Sequence, residues 1–186
     1  MAISKIQNKS IDRSDLTGSI LQIQFTRYAT ATTQSMTGYA DTAIAGINVN
    51  ITPTASNSII LLDASWFGEM ITTEEWNHHF FFFRDSTKIP TTSDMASFGD
   101  NPSNRTYGIA KAGTSYHAGA DDSTTPNYCR WSYFDLPNTT SQITYKAGFM
   151  CQTTNTLYTN RTIVDTDQQA STERGMCFIS ATEIAG

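Results

Sequence analysis

Apolar and polar residues alternate along this chain in short runs, and the clearest run is Ile20-Leu21-Gln22-Ile23-Gln24-Phe25-Thr26. Successive side chains of a strand point to opposite faces. Leu21, Ile23 and Phe25 therefore share one face, with Gln22, Gln24 and Thr26 on the other, as in a half-buried β-strand. Ile47-Asn48-Val49-Asn50-Ile51 repeats the alternation, and a Thr-Pro-Thr-Ala-Ser-Asn turn follows at 52–57. Residues 58–67 form a longer apolar run, and further strands are predicted at 128–134, 142–151, 156–159 and 175–184. Stretches 85–104 and 113–127 are rich in Ser, Thr, Asp, Asn and Gly and read as long surface loops. Thr72-Thr73-Glu74-Glu75 has the form of a helix cap with acidic first-turn residues, which predicts one helical turn within 69–76. Some eight strands joined by unequal loops predict an all-β fold, an antiparallel β-sandwich of jelly-roll type.

The most unusual strand is Trp76-Asn77-His78-His79 followed by Phe80, Phe81, Phe82 and Phe83. Trp76, His78, Phe80 and Phe82 fall on one face, and His79, Phe81 and Phe83 on the other. A single core needs one apolar face per strand, whereas this strand is aromatic on both. Leaving such side chains wet forfeits about 1.5–3 kcal/mol each. The expected remedy is a second copy of the chain, with Trp76, His79, Phe80, Phe81, Phe82 and Phe83 forming a subunit interface.

The first eighteen residues differ from the rest. Ile3, Ile6, Ile11 and Leu16 are scattered among Lys5, Lys9, Asp12, Arg13 and Asp15, and Gly18-Ser19 ends the segment. It is too sparsely apolar to fold alone, so residues 1–18 are read as a docking arm and 19–186 as the sandwich domain.

Charge narrows the partners. Only 16% of residues are charged, the net charge is −5 and the pI is near 5.0. No basic stripe exists to displace counterions from a duplex, so nucleic acid is not an expected partner. The apolar runs are too short to span a bilayer, so membrane insertion is not expected. The first ten residues lack the apolar core of a secretory signal, which predicts that the chain is made and assembled in the cytoplasm. Cys129, Cys151 and Cys177 are odd in number with no CxxC spacing, and read as buried thiols rather than a disulfide framework.

Candidate chemistry is thin. His78 and His79 face opposite ways in a strand and cannot chelate one ion together, and His117 lies far along the chain. No metal or other cofactor is predicted. There is no GxSxG elbow. Glu74-Glu75 and Asp121-Asp122 are sequence neighbours rather than carboxylates facing across a cleft. An enzyme is not expected. Tyr107, Tyr116, His117 and Tyr128 lie in or beside loops dense in amides and hydroxyls, where aromatic rings can stack on sugars. They are the candidate contact residues for a surface glycan, against the plainer reading that they pack on their own sandwich.

Several short motifs occur in a telling order: Ile3-Ser-Lys-Ile-Gln7, Gly18-Ser-Ile-Leu-Gln-Ile23, Tyr39-Ala-Asp-Thr42, Ile51-Thr-Pro53, Asn57-Ser-Ile-Ile-Leu61, Tyr133-Phe-Asp-Leu-Pro137, Thr144-Tyr-Lys146 and the terminal Glu183-Ile-Ala-Gly186. Taken together they resemble a family of short tail-fibre-like structural proteins of tailed bacteriophages, over nearly the whole chain. The resemblance implies a β-sandwich displayed on the virion surface as a homotrimer, with no enzymatic activity and no catalytic residues to transfer. It also implies that the arm docks on another virion protein of the tail, baseplate or capsid. Tail fibre or appendage is the expected role, with capsid decoration as the alternative. A free lectin-like carbohydrate-binding module is more distant.

Overall fold

The longest apolar run becomes the longest strand, β4 (Ile59–Met70), and one sheet is organised around it. The computed structural model describes residues 17–70, 77–112, 124–166 and 172–186. Around β4 lie β1 (Ile20–Tyr28), β2 (Thr32–Met36), β7 (Asn127–Asp135), β9 (Asn155–Thr159) and β10 (Cys177–Ile184). This first sheet runs β1-β10-β4-β9-β2, with β7 paired alongside β4 over Ile60 to Gly68. The second sheet comprises β3 (Thr42–Ile51), β5 (His78–Arg84), β6 (Thr87–Ile89) and β8 (Ile143–Cys151), in the order β3-β8-β5-β6. All of these pairings are antiparallel. Apart from the short β2–β9 pair, the chain winds two four-stranded sheets, β1-β10-β4-β7 against β3-β8-β5-β6, which is the jelly-roll arrangement of a β-sandwich.

The alternating segments became strands where expected. Two short polar strands, β2 and β6, were not anticipated, and neither was helix α1 (Thr92–Ser97), which stands inside a stretch read as loop. Its capping box is complete: Thr91 Oγ1 accepts from the Asp94 amide at 3.1 Å, and Asp94 Oδ2 accepts from the Thr91 amide at 2.7 Å. The helical turn expected at 69–76 does not form at its start, because Glu69 and Met70 complete β4; residues 71–76 lie outside the described residues.

Between the sheets the core is aromatic at one end. The Phe80 ring lies 4.9 Å from Trp131, 5.1 Å from Phe149 and 5.3 Å from Trp66. Phe82 lies 5.7 Å from Trp131. Both indole N–H groups are satisfied, Trp131 donating to the Phe81 carbonyl at 3.2 Å and Trp66 to Thr159 Oγ1 at 3.1 Å.

The other side of β5 corrects the expectation of an intersubunit cover. Phe81 is fully buried and Phe83 is only 9% exposed within the single chain. β6 folds back on β5 so that Lys88 pairs with Phe83. The Lys88 ammonium then sits 4.3 Å over the Phe81 ring and 4.0 Å from the Tyr107 ring. Asp41 closes the arrangement with an ion pair to Lys88 at 2.8 Å. Met150 and Ala43 complete the cluster. The long Lys stem covers apolar surface while its charge stays paired. Phe80, Phe81, Phe82 and Phe83 therefore present no exposed subunit surface, and His79 is half-buried; Trp76 lies outside the described residues.

Phe81 opposes Gly148 on β8, and a Cβ there would run into the Phe81 ring. Gly148→Ala is expected to destabilise the domain by about 1–3 kcal/mol through overpacking, read as a lower denaturant midpoint with unchanged slope.

Candidate functional site

The apolar face of β1 points away from the core. Gln22, Gln24 and Thr26 oppose the buried Glu183, Ala181 and Ile179 on β10, whereas Ile23 and Phe25 oppose the half-buried Thr182 and Ser180. The same alternation continues across β4 and β7. Thr182 neighbours Leu61, which neighbours Phe134, and Ser180 neighbours Asp63, which neighbours Ser132. The result is one outer sheet face on which Ile20, Ile23, Phe25, Tyr128 and Phe134 stand 51–64% exposed, with Leu136 just past the end of β7 at 59%. Ile59, Leu61, Phe178 and Ile184 fill the spaces between them, half-buried. Scattered surface apolar residues need no account, but a contiguous sheet face does.

Charge on this face is internally balanced at its centre. Arg130 holds Asp63 through two hydrogen bonds of 3.0 and 2.5 Å, and its guanidinium lies 5.6 Å from the Phe178 ring. A shallow depression of about 390 Å³ beside this pair is lined by Leu61, Asp63, Arg130, Trp131 and Ser132. Arg27 lies at the margin, 5.9 Å from the Phe25 ring.

A buried carboxylate sets which way β1 faces. Glu183 is fully buried and accepts from Gln22 Nε2 at 2.6 Å, Ser58 Oγ at 2.6 Å, the Thr54 amide at 2.6 Å and Thr54 Oγ1 at 2.7 Å. Gln22 Nε2 also donates to the Thr52 carbonyl at 2.8 Å. Asn57 Nδ2 ties the same turn to the Gly186 carbonyl at 3.0 Å. A glutamine on β1 thus turns inward because the only charged group on that part of β10 requires its donor. Burial alone pushes the Glu183 carboxyl up, but the hydrogen bonds from Ser58, Gln22 and Thr54 overcome it and hold the group below its ordinary value.

The remaining candidate residues are dispersed. His79 is half-buried, with Nε2 3.2 Å from Thr106 Oγ1, and burial followed by Lys88 and Lys111 lowers its pKa. Tyr107 has Lys88 over its ring and lies on the second sheet's side, while Tyr128 stands on the outer face of the first sheet. Ile3, Ile6, Ile11, Leu16, Tyr116 and His117 lie outside the described residues. His78 is a core residue: its Nε2 accepts from the Ala112 amide at 3.2 Å. Cys129, Cys151 and Cys177 are buried and none is disulfide-bonded. Desolvation pushes the Cys129 thiol up to about 12 and the Cys177 thiol up to about 11, so neither is a reactive thiolate at neutral pH. Among the described residues no group of three His, Cys, Asp or Glu side chains could hold a metal ion. The surface that sequence reasoning missed is Ile23, Phe25, Phe134 and Leu136. Compared with known proteins, the chain matches no family profile and no curated sequence.

Because the folded Glu183 carboxyl ionises below its ordinary 4.5, its contribution is complete above that pH and lost as pH falls through the depressed value. Unfolding midpoints should therefore drop below about pH 4.5. Glu183→Gln should flatten this decline and lower stability at pH 7 by about 1–3 kcal/mol, as measured by denaturant titration at each pH.

Proposed function

We propose that this chain is a non-enzymatic structural protein of a bacteriophage particle, a homotrimeric β-sandwich held by its N-terminal arm and working as a tail fibre or appendage that contacts the host. The observation that carries this reading is the exposed apolar face of the first sheet, which suits a protein that works by association. The resemblance of the ordered motifs to short tail-fibre-like proteins supports the setting. The occupant of the face in this reading is another copy of the chain. Four strands about 4.8 Å apart and about eight residues long give a patch of roughly 19 by 27 Å. That is about 500 Å², below the usual figure of about 800 Å² per partner. Contacts through this face are accordingly weak one at a time and gain strength when several copies are anchored together by their arms.

Capsid decoration is the second reading, favoured by the compact sandwich: helix α1, the only one among the described residues, is six residues long and no extended shaft appears among them. Copies per purified particle separate the two, a few dozen or fewer for a tail component and hundreds for a decoration protein. Absence from the particle would contradict both.

Sedimentation of the full chain should show a concentration-dependent species near three times 20.5 kDa. Ile23→Glu combined with Phe25→Glu should leave a folded single copy, because the charged side chains point to solvent in the lone subunit and would be buried on association. A wild type that stays single at every concentration would overturn the homotrimer.

A further inference from the structure

A second, quite different surface lies on the outer side of the second sheet, where β5 begins and β8 ends. Asn77 and Gln152 are joined there by a backbone bond from the Gln152 amide to the Asn77 carbonyl at 2.9 Å, and Asn77 Nδ2 donates to Gln152 Oε1. Together with Tyr39, Thr106 and Met150 they line a hollow of about 190 Å³. We propose that this hollow is a binding subsite for a single neutral sugar residue, which rests on the host-contact reading given above and names the ligand chemistry for it.

Several observations converge on it. Tyr39 is 64% exposed and has φ +57°, a left-handed conformation that a bulky side chain adopts only at a cost in strain. Glycine at this position would hold the same turn without strain, so the ring is not there for the fold. The turn is rigidly set. The Tyr39 amide donates to the Cys151 carbonyl at 2.7 Å and the Gly38 amide to Thr154 Oγ1 at 3.3 Å. Gly38 is pressed so closely on β8 that a Cβ would lie 2.7 Å from the Gln152 carbonyl oxygen.

The lining chemistry suits sugar hydroxyls. The bond between the two amides uses Asn77 Nδ2 and Gln152 Oε1, leaving the Gln152 Nε2 donor and the Asn77 Oδ1 acceptor for a ligand. Adjacent hydroxyls both donate and accept, and such a pair of amides answers them. Met150, 3% exposed, provides an apolar floor and Tyr39 an aromatic wall for the C–H face of a ring. None of the five lining side chains is charged. Nearby, Lys88 is paired with Asp41 at 2.8 Å, and burial together with Lys88 and Lys111 keeps His79 toward its neutral form. No cationic side chain lines the hollow to meet an acidic sugar. The volume is well below the roughly 300–1,000 Å³ of pockets that enclose drug-sized ligands, which fits one ring held weakly.

The test uses the full chain titrated with the methyl glycosides of glucose, galactose and N-acetylglucosamine, with sodium glucuronate as the charged comparator. Saturation-transfer NMR should report binding of at least one neutral glycoside in the millimolar range and none of glucuronate. Gln152→Ala should weaken that binding about tenfold, equivalent to about 1.4 kcal/mol. Tyr39→Gly should weaken it at least as much while leaving Tm unchanged or raised by a few degrees, the mark of a residue retained at the expense of stability. No signal from any of the three glycosides, preference for glucuronate, or binding unaffected by both substitutions would each overturn the proposal. Sedimentation of the same samples reports association through the first sheet separately, so failure of sugar binding and failure of the assembly reading are told apart.

Discussion

A sandwich has four sheet faces and its core uses only two of them, so the fate of the other two decides what the molecule can do. Here the chain treats them differently. The outer face of the second sheet is closed from within: β6 returns over β5, and Lys88, held between Phe81 and Tyr107 and paired with Asp41, covers rings that would otherwise be wet. The outer face of the first sheet has no such return among the described residues over Ile23, Phe25 and Phe134, which remain more than half exposed. In the proposed reading association belongs to the side the chain leaves open, and the buried aromatic run contributes to stability instead.

The asymmetry depends on orientation at one edge strand. β1 has a clean apolar side and a clean polar side, and either could in principle be set inward. Glu183 decides between them. Its buried carboxylate needs donors, and Gln22, Ser58 and Thr54 supply them from three separate segments. Satisfying one buried charge outweighs the burial of Ile23 and Phe25 in the lone chain, because an unpaired carboxylate in such a place is penalised more heavily than two half-exposed side chains. The short motifs around Gln22, residues 51–58 and the chain end at 183–186 are distant in sequence and meet at this one knot.

The fold was readable because strand alternation is local. Ile20 to Thr26, Ile47 to Ile51 and the run at β4 all announce themselves by period two, and their number points to a sandwich. What could not be read was facing. Alternation says which side chains share a side, not which side meets the core, and the deciding contact between Gln22 and Glu183 spans 161 residues. The cover over Phe81 was hidden for a similar reason: a lysine on a short polar strand reads as solvated surface until the hairpin places it on a ring. Helix α1 lay in a Ser/Thr/Asp-rich stretch whose composition suggests loop, although Thr91 and Asp94 carry a capping signature. Tyr39 opened one of the short motifs but gave no signal of a binding role, since its exposure and left-handed backbone belong to a turn between strands that sequence alone leaves unplaced.

Hydroxyl-radical footprinting of the protein at dissociating and associating concentrations tests this division of labour most directly. Ile23, Phe25 and Phe134 should be oxidised readily in the single chain and protected on association, while Phe81 and Phe83 stay unreactive in both. Strong oxidation of Phe81 and Phe83 in the single chain, with protection on association and no change at Ile23 and Phe25, would contradict the account.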